Sequence, residues 1–160
     1  LRDVDVIAAL PQTEVGVTIT ATDDQIGRFM EARAPLASER LRTLRALNRA
    51  GIATYAFIGP LLPHYRYRHD LLEDLFRQVA DAGTRTIFAE HLNTSACILK
   101  RIEPLLIDAA PEVRAVYQSA RRDAHRAALS DMVMALVAKY DFEIRLGRVL
   151  DHNRDKKAPP

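Results

Sequence analysis

SERLRTLRALNRAGIATYAFIGPLLP, residues 38–63, changes its hydrophobic period at a single glycine. Before Gly51, Leu41, Leu44 and Leu47 recur every third residue and form the apolar stripe of a helix. After it, Ile52–Ile58 is a β-branched and aromatic run of strand length. Gly51 suits the left-handed residue that closes a helix. A helix delivered straight into a strand is the second half of a crossover, so a parallel partner strand is expected upstream.

EVGVTIT (14–20) supplies that partner, with Val15, Val17 and Ile19 on one side and Gly16, Thr18 and Thr20 on the other. Before it, DVDVIAALPQ (3–12) reads as a short helix ending at Pro11. After it, Thr22 and Gln25 have capping-box spacing and predict a helix carrying Ile26, Phe29 and Met30 inward as far as Pro35. The pattern then repeats: HDLLEDLFRQVADAG (69–83) is an amphipathic helix with Leu71, Leu72, Leu75, Phe76 and Val79 inside, and RTIFAEHLN (85–93) is a third strand. Beyond Asn93 the alternation fades. TSACILKRIEPLL (94–106) is helical up to Pro104, and residues 111–140 form one long helix or two broken near Ser119 or Ser130. FEIRL (142–146) is a final strand, and the last residues are a solvated tail.

The expected fold class is therefore α/β, a partial (half) TIM-type barrel of parallel strands alternating with helices, followed by a helical C-terminal segment. The barrel part takes residues 1–95, the helical extension 96–150 and the tail 151–160. A complete barrel typically needs about 250 residues, against 160 here. One lateral edge should be unpaired or covered by the helix from Pro111. Ligands of such sheets sit at the C-terminal strand ends. Those ends are Thr18–Thr22, Ile58–His64 and Glu90–Asn93.

Composition narrows the chemistry. Lys and Arg number 23 against 21 acids, a balance that argues neither for nor against nucleic acid. No apolar run reaches the roughly 18 residues of a membrane helix, no signal peptide opens the chain, and a cytoplasmic location is expected. The one cysteine, Cys97, excludes a disulfide framework and any multi-cysteine metal site built from these residues alone. His64, His69 and His91 match no compact zinc spacing, and no P-loop, GxGxxG or nucleophile elbow occurs.

The strand ends carry the candidates. Thr18 and Thr20 share one face, where their hydroxyls serve either a ligand in the lumen or only strand propensity. Glu31 and Arg33 lie near the same mouth. His91 and Asn93 alternate together and can hydrogen-bond a substrate, with Glu90 and Leu92 facing the other way. In GPLLPHYRYRHD (59–70), Tyr65 and Tyr67 interleave with Arg66 and Arg68, a mixture able to stack on bases and neutralise phosphates.

VGVTIT (15–20), the Asp23-Asp24 turn, RFMEARAP (28–35), SERLRTLRALNRAGI (38–52) and TYAFIGPLLP (54–63) then follow in an order with a known parallel. It resembles the later half of radical S-adenosylmethionine proteins related to spore photoproduct lyase, the DNA repair photolyase-like group. RDVDVIAAL (2–10) is similar to the R-D-x-D-x-[LI] helix that precedes the first of these strands in that family. The likeness covers residues 2–63 well and 64–95 loosely. Two departures stand out: the family's C-x-x-x-C-x-x-C loop is missing, and Ala32 replaces the usual proline after the glutamate.

The resemblance implies that the chain, which opens at Leu1 rather than Met, is the C-terminal part of a longer radical enzyme. The cofactors would be S-adenosylmethionine and a [4Fe–4S] cluster whose ligands lie upstream, outside this chain. The cluster would pass one electron to the sulfonium and release a 5′-deoxyadenosyl radical that takes hydrogen from a substrate. Matched by position, Thr18, Thr20, Glu31, Ile58 and Pro60 would contact the cofactor. Tyr65, Arg66, Tyr67, Arg68, His91 and Asn93 would lie on the substrate side. No residue here would be catalytic, and the fragment alone would be inactive. Its partners would be the missing N-terminal half and, on one reading, nucleic acid; no membrane contact is expected. The alternative reading is a non-catalytic α/β nucleotide- or protein-binding domain.

Overall fold

A computed structural model describes residues 2–24 and 33–152. Helix α1 (Val4–Ala8) precedes strand β1 (Glu14–Ile19), helix α2 (Ala37–Arg49) and strand β2 (Ala53–Leu61). Helix α3 (His69–Asp81) and strand β3 (Thr86–His91) complete the next crossover. Three further helices follow, α4 (Ala96–Ile102), α5 (Pro111–Ser119) and α6 (Asp123–Lys139), before the two-residue strand β4 (Glu143–Ile144). The expected capping helix from Thr22, with Ile26, Phe29 and Met30, lies outside the described residues, as do Glu31 and the tail from residue 153.

The α/β reading holds. The four strands are all parallel and stand in sequence order, β1-β2-β3-β4. Crossovers of one hand in such an order put every helix on the same face. Burial follows that geometry. Ile19, Ala56, Ile58, Ile87 and Ala89 join Leu41, Leu44, Leu72, Phe76, Leu129 and Val133 in one core. The intervening residues, Gly16, Thr18, Tyr55, Phe57, Phe88 and Glu90, lie on the opposite face, which no described helix covers. Beyond β1 no described strand pairs, so one edge is open.

The turn at Gly51 forms as its sequence requires. Gly51 has φ +74°, the Ile52 N–H donates to the Leu47 carbonyl at 3.1 Å and the Gly51 N–H to Asn48 at 3.0 Å. This is a Schellman closure with Ile52 buried behind it. At the other end of α2, the Asp24 carboxylate accepts the Ser38 N–H at 3.1 Å and satisfies one orphan donor.

Two boundaries differ from the sequence expectation, and the choice left open for residues 111–140 falls to a break at Ser119. Strand β2 does not stop at Ile58 but runs on to Leu61. Pro60 is tolerated because it sits in a register irregularity, where Ile58 pairs with Ala89 and Leu61 with His91. Residues 111–140 are two helices, broken after Ser119, and Ser130 lies uninterrupted within α6. The last strand shrinks to two residues. The chain then turns through Leu146 at φ +64° and Leu150 rejoins β3, exchanging bonds of 2.8 and 2.9 Å with Ala89 and His91.

Candidate functional site

The open face of the sheet is built in two layers. The lower one is filled. Arg145, just past β4, reaches back across the sheet, its guanidinium carbon 5.1 Å from the Tyr55 ring centre and 5.5 Å from that of Phe88. The same guanidinium pairs with Glu14 on β1, so the last strand is tied to the first. Tyr55 and Phe88 meet edge to face at 5.4 Å. A Cβ built on Gly16 would fall inside the Tyr55 ring, so only glycine leaves that ring room to lie flat on β1. Edge-to-face rings and a cation make a floor.

The upper layer, toward the C-terminal strand ends, is covered by no described helix. Thr18 is exposed, pairs in register with Phe57, and spends its hydroxyl on no described residue. Glu90 stands beside Gly59 on the neighbouring strand and pairs with His152 Nδ1 at 3.0 Å. A hydroxyl, an aromatic face and a carboxylate thus border one patch, with the Phe57 ring lying against the buried Gly59 where a Cβ would stand. Such a patch can hold a polar ring compound by stacking and hydrogen bonds. It contains no nucleophile–base pair, and no group of His, Cys, Asp or Glu among the described residues is placed to bind a metal.

The other predicted residues divide. Thr20 does not stay on the open face; it is buried just past β1, and its hydroxyl donates to the Gly59 carbonyl at 2.9 Å. Ile58 is fully buried among the helices, because alternation along β2 gives the open face to Tyr55 and Phe57. Only its backbone can meet a ligand. Pro60 is half-buried at the irregularity. Glu31 lies outside the described residues.

The loop residues also separate. Pro63–Arg66 is a 3₁₀ turn, not an open loop. Tyr65 is buried and its hydroxyl donates to the Thr20 carbonyl at 2.7 Å, so its ring cannot stack on a base. Burial pushes that phenol upward in pKa. Arg68 grips Asp70 with two bonds of 2.9 and 2.7 Å, which cancels its charge locally and lowers the Asp70 carboxyl. Arg68 is nonetheless exposed, as is Tyr67, and the half-buried Arg66 holds its guanidinium 5.6 Å over the Tyr67 ring. His64 bonds the Tyr117 hydroxyl at 3.3 Å.

His91 belongs to the helix side. Its Nε2 lies 2.9 Å from Ser130 Oγ, and burial lowers its pKa to about 4, against a smaller opposing pull from Asp151. It borders a cavity of about 430 Å³ with Arg126 and Asp151, themselves 3.1 Å apart. Asn93 accepts the Ser95 N–H at 2.9 Å and so shapes the entry to α4. The two residues that alternation put together are therefore separated by their hydrogen bonds.

Sequence reading missed Phe57, Glu90 and Arg145. The first two were available, since Phe57 shares the parity of Tyr55 and Glu90 the parity opposite His91. Nothing local marks Arg145.

No family model matches the chain, and no solved structure matches it. It is similar to an uncharacterized protein of Mycobacterium tuberculosis, 30% identical over 151 residues, covering 87% of this chain and 44% of the relative. An uncharacterized protein of Mycobacterium bovis gives the same figures. A third, from Acidianus two-tailed virus, is 28% identical over 109 residues, covering 66% of this chain and 36% of the relative. The chain spans less than half the length of these curated relatives.

Proposed function

We propose that this chain is the C-terminal part of a radical S-adenosylmethionine enzyme of the spore photoproduct lyase-like group, and that its open sheet face helps to hold the cofactor. The observation that carries the reading is Thr18. Among the described residues its hydroxyl has no partner, and it stands in register with Phe57 on the edge strand, on the face that no described helix covers.

The cofactor's chemical groups suit this face. Phe57 offers a ring to stack on adenine, Thr18 a hydroxyl for ribose or carboxylate oxygens, and Glu90 an acceptor for hydroxyl hydrogens. Arg145 and the two rings beneath it close the floor, so a ligand rests in the upper layer. The cluster does not fit the residues present. Cys97 is a single exposed thiol on α4, remote in role from the sheet, and one thiolate cannot hold a cubane. When bound, the sulfonium cofactor supplies one-electron radical chemistry, and this chain's residues bind and orient it.

The partner at the β1 edge is the preceding half of the same protein, whose strands would continue the parallel sheet. A nucleic-acid substrate would meet the exposed Tyr67 ring and the Arg66 guanidinium over it, since Arg68 is spent on Asp70. The competing reading, a non-catalytic nucleotide- or protein-binding domain, makes no demand on an upstream cysteine loop.

The test uses the full-length protein. Thr18→Val keeps shape and strand propensity and removes the hydroxyl. S-adenosylmethionine measured by calorimetry should bind more weakly by about 0.5–1.5 kcal/mol, the net worth of a neutral hydrogen bond. Unchanged affinity, or a gene without C-x-x-x-C-x-x-C upstream, would overturn the proposal.

A further inference from the structure

Away from the strand ends, the C-terminal segment holds a groove of about 730 Å³ between two short helices. One wall is α4, continued by the 3₁₀ turn Glu103–Leu106; the other is α5 and the residues just after it. Leu99, Leu106 and Ile107 line it, over the small core that Ile102 and Tyr117 share with Leu92. Ile107 is 64% exposed, a large apolar side chain with nothing described above it.

The rim is basic. Lys100 stands on the first wall, Arg114 and Arg121 on the second, against the single acid Glu103. None of the three cations meets a carboxylate among the described residues. Arg114 reaches only the Ile107 carbonyl and Arg121 only the Thr94 carbonyl, each at 3.4 Å. An apolar floor between unneutralised cations suits an occupant that is apolar on one side and acidic on its flanks.

We propose that the groove docks an acidic amphipathic helix of a partner protein, laid apolar face down with carboxylates toward both ends of its flank. The placement of the cations selects an elongated occupant. Arg114 lies on α5 and Arg121 in the turn just past it, and they reach the carbonyls of Ile107 and Thr94, at opposite ends of the first wall, so they mark both ends of the groove. A single-headed amphiphile would satisfy one end and leave the other cation alone. A helix bearing acids toward both ends meets both, in the familiar helix-in-groove manner. The chain's own α1, offered by a second copy, is five residues long with aspartates at 3 and 5, too close together to span them.

The measurement is fluorescence anisotropy of a labelled synthetic peptide, helical, with leucines along one face and glutamates toward both ends beside them. Its control carries lysine in place of each glutamate. The wild-type chain should bind the glutamate peptide saturably and the lysine peptide about tenfold more weakly. The Arg114→Glu/Arg121→Glu variant, if circular dichroism finds it folded, should reverse that order. Because the peptide swap is done on the wild-type chain, a misfolded variant would not decide the outcome. Equal binding of both peptides, or no saturation by either, would overturn the proposal. So would displacement of the peptide by dodecanoate at equal concentration, which would give the groove to a single-headed amphiphile. Self-association abolished by the double variant would give it to a second copy and overturn it equally.

Discussion

The Tyr65 hydroxyl donates to the Thr20 carbonyl across 45 residues of sequence, and the Thr20 hydroxyl donates to Gly59 in turn. Two buried bonds therefore lock the 3₁₀ turn, the end of β1 and the end of β2 to one another. Tyr65→Phe should destabilise the chain by about 1 kcal/mol, the net value of one such bond. Urea denaturation monitors it. Nucleic-acid binding, if present, should not change, and a variant as stable as its parent would contradict this role.

Thr18 and Thr20 should part company. Thr20→Val removes a buried donor from the Gly59 carbonyl and should cost about 1–2 kcal/mol of stability. Thr18→Val lies on the exposed face and should fall within about 0.5 kcal/mol of the parent. Equal losses in thermal or urea unfolding would mean that both hydroxyls are structural.

Stability should fall with acid in a window set by His91. Its folded pKa, about 4, lies below the ordinary value of 6.5, so between those limits the unfolded chain binds more protons. The contribution is whole above pH 6.5 and is lost as pH drops toward 4, on the order of 3 kcal/mol at most. His64 and His125 are lowered by burial in the same sense. His91→Gln should flatten part of the slope in pH-dependent urea titrations and leave the share of the other two. An unchanged slope would remove His91 from the account.

Gly16 and Tyr55 should couple strongly. Gly16→Ala pushes the Tyr55 ring off β1 and away from Arg145, at a cost of about 1–3 kcal/mol. In a Tyr55→Ala background the same change should cost almost nothing. A double-mutant cycle measures the difference, and additive losses would show that the ring does not depend on the glycine.

Much of the fold was legible because each crossover writes its own signals locally. Leucine stripes, the Gly51 closure and strand alternation decided three of four strands and the core faces. The C-terminal end was less so, since β4 is two residues long and owes its place to β3 rather than to its own pattern. At the site, Thr18 was readable from parity alone. Tyr65 and His91 were not, because a partner distant in sequence, such as Thr20 or Ser130, leaves no trace beside them. Ile58 was misjudged by position when its parity with Ala56 already assigned it to the core. Arg145 depends on Glu14, 131 residues away, a distance no local pattern spans.

The irregularity at Pro60 acts as a change of phase. A strand counts in twos, so without it residues 58, 60 and 62 would face the helices and 59, 61 and 63 the other side. The extra residue puts Ile58 and Leu61 on the same side instead, opposite Ala89 and His91. From there onward the chain is steered into the interior, which is how Leu62 and Tyr65 come to be buried. Removing one residue between Ile58 and Leu61 would reset the count, and the turn that now anchors β1 would be thrown out over the open face.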